Sequence, residues 1–553
     1  MTEYRKQNPD KGRNHGVIVV GIVSIFLLVL FRLVQISVYK TAYQKNLTED
    51  SVITVEEESS RGTIFDCQGD PIAVDRHTYG LTALLSNDWG EENVEDVDET
   101  ARQLSQVLDM SQNEILDILS SSQSVQVEFG PQGKGLSEET RQTIEAMNLP
   151  GIQLNQEATR IYVNDHFASH FIGYVGENSE ESGHGQTPVG IIGLEKSMND
   201  TLSSDNKKTT SKDLEVTLDK RLQNYLEDLL EDSYQKYQPQ NISGHLVEIP
   251  TGKLLATSQR PSFNLNTLEG IDDHWQHLLT QSMIEPGSTI KILTMASAFD
   301  KGVFTPDEKV KTGQVKVYDR IVKDHNNVGW GNIGFEEGLI RSSNVTTVEL
   351  VKRIGENQWV SELEKYGFGK STKSGFDDES EGDVELNNPA SKIMSGFGQA
   401  FSATPIQLLE AFSAIGNQGN KTKISYLNQV GGESVSHPVG SERVISEEAA
   451  DYILDLMVDT VELDIGTAQA FKHPTVTVAA KTGTAEIASE DGTGYLTGED
   501  DYVHSVITFF PAEDPQFMMY LSMQQPSKNH GRIGSQMLGE TFVPFVDHIM
   551  INQ

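Results

Sequence analysis

The stretch Glu285-Pro286-Gly287-Ser288-Thr289-Ile290-Lys291, running on into Ile292, Leu293, Met295, Ala296 and Phe299, decides how this chain is read. Beyond Ser288 the residues are apolar on nearly every side, which predicts a helix buried in a core and starting at Ser288. Lys291 then lies about one turn further on and on the same face, where its amine approaches the Ser288 hydroxyl. The helix N-terminus turns backbone N–H groups toward developing negative charge. A hydroxyl with an amine base beside it is a nucleophile.

Ser-x-x-Lys arises freely by chance, and the chain carries decoys. Ser204-Asp205-Asn206-Lys207 matches it inside the polar stretch 201–213, while Lys311-Thr312-Gly313 and Lys373-Ser374-Gly375 imitate a Lys-[Ser/Thr]-Gly motif. Context selects two other segments. Ser342-Ser343-Asn344 stands between residues 338–341 and a helical pattern over 345–354, at a helix–loop junction. Lys481-Thr482-Gly483-Thr484-Ala485 ends an apolar strand expected at 476–480 and precedes two further strands at 502–510 and 517–523. The order Ser-x-x-Lys, Ser-x-Asn, Lys-Thr-Gly is one that serine acyl-transfer enzymes acting on β-lactams and on D-Ala peptides carry.

Working outward, Asp219 caps a helix whose apolar residues Leu222, Tyr225, Leu226, Leu229, Leu230 and Tyr234 recur at helical spacing. A hairpin follows, with its turn at Pro250-Thr251-Gly252-Lys253. Near the other end, residues 511–515 join the last two strands and a helix covers about 535–550. Helix and strands at both ends around a helical middle predict one α/β/α domain over 216–553 whose ends complete the sheet. Residues 39–215 are polar and broken by turns, and read as α+β, with 201–213 as a linker or extended arm.

The first residues read differently. The apolar run 16–31 continues past Arg32 and has about the length a bilayer core requires, so a single uncleaved transmembrane helix is expected over 16–38. Arg5, Lys6, Lys11 and Arg13 precede it, which predicts a cytoplasmic tail over 1–15 and an extracytoplasmic remainder. With 43 basic against 81 acidic side chains the chain carries −38, a surface that repels nucleic acid. Its one cysteine, Cys67, forms no intrachain disulfide, and no Cys/His cluster has zinc spacing. No metal and no cofactor is expected. Trp330 and His325, between the first two motifs, have two readings, residues lining the substrate groove or a core tryptophan and a surface histidine, and burial statistics favour the second.

With the three motifs in order, the chain resembles a class B penicillin-binding protein, most like the septal, FtsI-type branch. Arg61-Gly62-Thr63-Ile64-Phe65-Asp66, Arg160-Ile161-Tyr162, the segment His170 to Gly176 and Gly190-Ile191-Ile192-Gly193-Leu194-Glu195 are similar to the family's pedestal signatures, with Cys67 and Val163 as departures. Ser395-Gly396-Phe397-Gly398-Gln399, Thr404-Pro405-Ile406-Gln407, Asn417 and Gly419 are similar to the segment between its second and third motifs. The resemblance implies a multi-domain α+β protein: a membrane anchor, an elongated pedestal of the dimerisation type, and a penicillin-binding transpeptidase domain of serine β-lactamase-like fold. It implies that Ser288 attacks the penultimate D-Ala carbonyl of a peptidoglycan stem peptide and releases the terminal D-Ala. Lys291 takes the serine proton, Ser342 relays a proton to the leaving amine, and Asn344 holds the substrate amide. Lys481, Thr482 and Thr484 bind the terminal carboxylate, the N–H groups of Ser288 and Thr484 form the oxyanion hole, and Gly483 leaves room for the substrate.

The implied partners are stem peptides of a lipid-linked precursor or nascent glycan, β-lactam antibiotics trapped at the same serine, a membrane glycan polymerase of the SEDS type, and other division proteins. Three other readings compete. A β-lactamase needs a deacylating glutamate, and none is assignable. A membrane β-lactam sensor needs further membrane spans. A non-catalytic scaffold of a division or elongation complex tolerates loss of Ser288 or Lys481, and both are retained.

Overall fold

In a computed structural model, residues 61–552 are described apart from short segments, the longest of which are 87–91, 121–124, 177–187, 204–210 and 490–493. The expected cytoplasmic tail and the transmembrane helix at 16–38 lie outside the described residues. Among the described residues no helix is long and apolar enough to cross a membrane.

The first half of the chain builds a mixed sheet. Strands β1 (Ile64–Phe65), β2 (Pro71–Leu84) and β3 (Ile152–Tyr162) are joined to β4 (Leu214–Val216), which runs parallel to β1. Helix α1 (Lys220–Tyr237) follows, capped by the Asp219 carboxylate accepting from the backbone N–H groups of Arg221 and Leu222, as its sequence predicts. Strands β5 (Asn241–Glu248) and β6 (Lys253–Arg260) form the expected hairpin. The middle is mostly helical and holds α2 (Lys291–Asp300), α3 (Phe335–Ile340) and α4 (Asn344–Ile354). Strand β7 (Leu427–Val430) leaves this region to pair with β4. Strands β8 (Ala479–Glu486), β9 (Tyr502–Phe510) and β10 (Phe517–Gln524) and helix α5 (Gly534–Asn552) close the chain.

The main sheet has the order β8-β9-β10-β5-β6 and is antiparallel throughout, so strands from both ends of the domain lie side by side. Its alternation is legible in β10. Met518 and Tyr520 face one core, with Leu293 and Val351, while Phe517, Met519, Leu521 and Met523 face the other, with Leu226 of α1 and Phe542 of α5. Both faces are therefore covered, and the α/β/α reading holds. Each fully buried apolar side chain of this kind contributes roughly 1.5–3 kcal/mol.

Two expectations shift. The strand expected at 476–480 begins at Ala479 and carries the whole Lys481-Thr482-Gly483-Thr484-Ala485 motif in register with β9, Lys481 opposite Ile507 and Thr484 opposite His504. Pairing over eight residues overrides the weak strand preference of Gly483. The ends of the supposed linker 201–213 are also fixed: Leu202 is buried, Lys212 N–H donates to the Thr201 carbonyl, and Thr63 N–H donates to the Asp213 carboxylate. The decoy at 204–207 lies outside the described residues.

Candidate active site

The nucleophile turn is tighter than an α-helical start. Gly287–Ile290 form a 3-10 turn that continues into α2, and residues three apart eclipse in such a turn, which puts Ser288 and Lys291 on one face. Gly287 sits at φ +57°, and a Cβ there would lie 2.9 Å from the Thr484 carbonyl oxygen. The turn is thus wedged against β8. On its other side Gly287 N–H donates to the Gly398 carbonyl at 2.9 Å.

Ser342 ends the short connection from α3 to α4 at φ +58°, a left-handed conformation that costs a residue with a side chain about 1–3 kcal/mol and that clusters at functional sites. The next residue caps α4: the Ser343 hydroxyl accepts from Thr346 N–H and donates to Asp324 Oδ1 at 2.7 Å. Asp324 is almost fully buried and also accepts from Val345 N–H and Gly313 N–H. Motif reading missed this carboxylate, because its partners meet it only through the tertiary fold.

Lys291 and Lys481 are both buried and converge on one hydroxyl. The Lys291 amine lies 3.2 Å from Ser342 Oγ, and the Lys481 amine lies 3.0 Å from the same atom. Lys291 also donates at 2.7 Å to the Ser342 carbonyl and at 2.7 Å to Asn344 Oδ1, while Asn344 Nδ2 donates to the Lys323 carbonyl. In this arrangement the Lys291 amine is committed to Ser342 and Asn344, on the face of the turn that it shares with Ser288. Burial, and then the neighbouring Lys481 charge, hold the Lys291 amine well below the ordinary lysine range, against an opposing pull from Asp324. Burial lowers Lys481 to about 7.

A cavity of about 790 Å³ opens over these groups, lined by Ser288, Ser342, Asn344, Thr482, Gly483 and Thr484 among others. Six of the eight residues expected at the site therefore line one space, and the other two, Lys291 and Lys481, lie buried behind it against Ser342. Strand β8 is the edge of its sheet, so its outer edge is free to pair with an extended peptide. Gly483 lines the cavity, and a Cβ there would also lie 2.3 Å from Ser505 Oγ of β9 and 3.0 Å from Thr289 Cγ2 of the nucleophile turn, so the glycine lets β8 pack closely against both. Trp330 is not a core residue. It is half-buried on a groove wall, with the Arg341 guanidinium 5.5 Å above its ring and the exposed His325 ring 5.2 Å away. Beside the nucleophile turn, burial pushes Glu285 up to about 7 while it accepts from Ala400 N–H and the Tyr495 hydroxyl.

The first half of the chain brings its own motifs together. Glu195 is fully buried and accepts from Arg61 Nε at 2.6 Å and from Arg160 Nε at 2.7 Å, and Arg160 also pairs with Asp75 at 3.0 Å.

Comparison with known proteins gives two family matches. Residues 56–214 match the penicillin-binding protein dimerisation domain and residues 242–542 match the penicillin binding protein transpeptidase domain. The chain is 27% identical over 572 residues to stage V sporulation protein D of Bacillus subtilis (strain 168), covering 97% of this chain and 84% of that one. It is 24% identical over 546 residues to peptidoglycan D,D-transpeptidase FtsI of Buchnera aphidicola subsp. Schizaphis graminum (strain Sg), covering 92% and 90%. The crystal structure of penicillin binding protein 2X from Streptococcus thermophilus matches with a TM-score of 0.76 and 27% identity, over 89% of this chain and 79% of that one.

Proposed function

Since the chain belongs to the penicillin-binding protein transpeptidase family, we propose that Ser288 is its acylated nucleophile and that Lys291, Ser342 and Lys481 form the proton line serving it. The protein is a class B penicillin-binding protein, a serine D,D-transpeptidase of peptidoglycan synthesis. One observation carries the assignment of roles: two buried lysine amines flank a single hydroxyl, Ser342 Oγ, beside the cavity that Ser288 lines.

The chemistry follows from that line. Ser288 Oγ attacks the penultimate D-Ala carbonyl while neutral Lys291 takes its proton. The N–H groups of Ser288 and Thr484 receive the oxyanion. Ser342 passes a proton to the departing D-Ala amine, and Asn344 orients the substrate amide. Charged Lys481, with Thr482 and Thr484, holds the terminal carboxylate. The carboxylates lining the cavity are both engaged, Asp324 with Ser343 and Glu486 with Gln399. With no deacylating glutamate assignable in the sequence, penicillin is expected to form a long-lived adduct and not to be turned over.

The rest of the reading is cellular. The apolar run at 16–38 behind its basic flank supports a single-pass membrane anchor with the folded part outside the cytoplasm. The first-half domain is the surface for a membrane glycan polymerase of the SEDS type and for division proteins, a reading that rests on family analogy. Incubating the full-length chain with a pentapeptide donor and an amine acceptor tests the activity: D-alanine release with a crosslinked product is expected, and none from Ser288→Ala. Protease added to cells with an accessible outer surface should digest the C-terminal part, and full protection contradicts the topology.

A further inference from the structure

A transpeptidase needs room for two peptides, and the structure holds two adjoining cavities. The second has a volume of about 890 Å³, within the range of ligand sites, and shares His325, Thr467, Ile533 and Ser535 with the walls of the first. The two spaces therefore adjoin along these four residues. Beyond the shared residues its walls carry Trp330 and Arg341, close to one another, and Arg532 before α5 with Glu540 within it.

Reaction symmetry says which peptide belongs there. The donor's terminal D-Ala leaves from the Lys481–Thr482 end of β8, where its carboxylate is held. In the second half-reaction the acceptor amine attacks the ester carbonyl from the position the departing amine has vacated, because formation and cleavage of the amide pass through the same tetrahedral geometry. Thr482 Oγ1 donates to Thr467 Oγ1 at 3.3 Å, and Thr467 lines both cavities. The leaving-group end of the first cavity thus borders the second at Thr467.

On the premise that the chain is a transpeptidase, we infer that the groove bounded by Trp330, Arg341 and Arg532 holds the acceptor stem peptide and delivers its amine to the Ser288 acyl-enzyme. The step balances: the amine nitrogen forms a bond to the acyl carbon, the bond from that carbon to Ser288 Oγ breaks, and the proton lost by the amine returns to Ser288 through the Lys291–Ser342 line. The lining suits a peptide carrying both signs of charge. Arg341 lies over the Trp330 ring, offering a cation and an aromatic face together. Arg532 pairs with Glu540 at 2.7 Å near the surface, where both side chains remain partly exposed and open to exchange with a ligand's charges. Ile533, 65% exposed, projects at the junction of the two spaces.

The test separates the two half-reactions in the full-length chain in detergent. The donor is the thioester N-benzoyl-D-alanyl-thioglycolate. The acceptors are D-alanine, too short to enter the groove, and a stem pentapeptide with a free side-chain amine, in its lysine and diaminopimelate forms. With the parent chain, aminolysis by one of the stem forms should saturate. In Trp330→Ala and in Arg532→Ala, from separate chain segments, the stem concentration for half-maximal aminolysis should rise about tenfold or more, the scale of a truncated contact residue. Aminolysis by D-alanine and acylation by penicillin should stay within about twofold in both variants, which also reports that they fold. Equal losses with short and long acceptors, unchanged stem saturation in both variants, no stem-dependent product from the parent, or loss of penicillin acylation in both variants would each overturn the groove assignment. A parent chain that neither thioester nor penicillin acylates defeats the transpeptidase reading instead.

Discussion

At the scale of single residues, the protonation of Lys291 decides whether the site works. A lysine at its ordinary pKa of ~10.4 is an acid at neutral pH and cannot take a proton from Ser288. A neutral amine has two N–H donors and one lone pair. The two carbonyl oxygens at 2.7 Å, of Ser342 and Asn344, use both donors, so the lone pair, which has the Ser342 hydroxyl at 3.2 Å, is the position that takes a proton. The pH dependence follows with its sign. Acylation rises as pH climbs through the lowered Lys291 value, because the neutral amine is the active form, and falls as Lys481 loses at about 7 the charge that holds the carboxylate. Second-order acylation by penicillin should trace this bell, whose limbs belong to the coupled pair. Lys291→Arg should lose roughly 100- to 10,000-fold, nearly as much as Lys291→Ala, since a guanidinium stays charged. Acylation by Lys291→Arg within a few-fold of the parent removes Lys291 as the base. The Ser-x-x-Lys spacing was legible in the sequence. The positive φ of Ser342 and the Asp324 carboxylate behind it were not, since both are set by chain segments that meet only in the fold.

At the scale of elements, the 3-10 turn of the nucleophile is held by backbone against backbone. Gly398 has φ +83°, and a Cβ there would lie 2.0 Å from the Gly287 carbonyl oxygen, an atom that cannot swing away. Gly396, two residues earlier, would bring a Cβ to 2.2 Å from Val351 Cγ2 of α4. The Ser395-Gly396-Phe397-Gly398-Gln399 segment is therefore a template for the turn. Gly398→Ala should displace Ser288 and slow penicillin acylation by about 100-fold, the cost of a misplacement of about 1 Å. Gly432→Ala, at φ +79° but with open space around it, should leave acylation unchanged. Equal rates for the two variants dismiss the template. The sequence reading set the last motif at the end of an apolar strand over 476–480. What keeps the motif in β8 is pairing with β9, a partner no local pattern announces.

At the scale of the whole molecule, three distant motifs of the first half of the chain converge on Glu195, and β7, reached from the catalytic half, pairs with β4 to extend the first sheet. The α/β/α domain and its motif order were legible because periodicity and capping are local. The joint was not, since β4 and β7 are some two hundred residues apart. Glu195→Ala removes the carboxylate that two buried guanidinium groups share, and the loss of one partner of such a cluster typically costs roughly 3–5 kcal/mol. Calorimetry should show a clear fall in the unfolding temperature of that variant, and an unchanged transition denies the cluster a structural role. The central claim is that Ser288 is the acylated nucleophile of a penicillin-binding transpeptidase. It is tested most directly by labelling the full-length chain with fluorescent penicillin, digesting it and locating the modified peptide by mass spectrometry. The account predicts one long-lived adduct, on Ser288, and no label on Ser288→Ala. A label on any other residue, undiminished labelling of Ser288→Ala, or rapid turnover of penicillin to its hydrolysis product would contradict it.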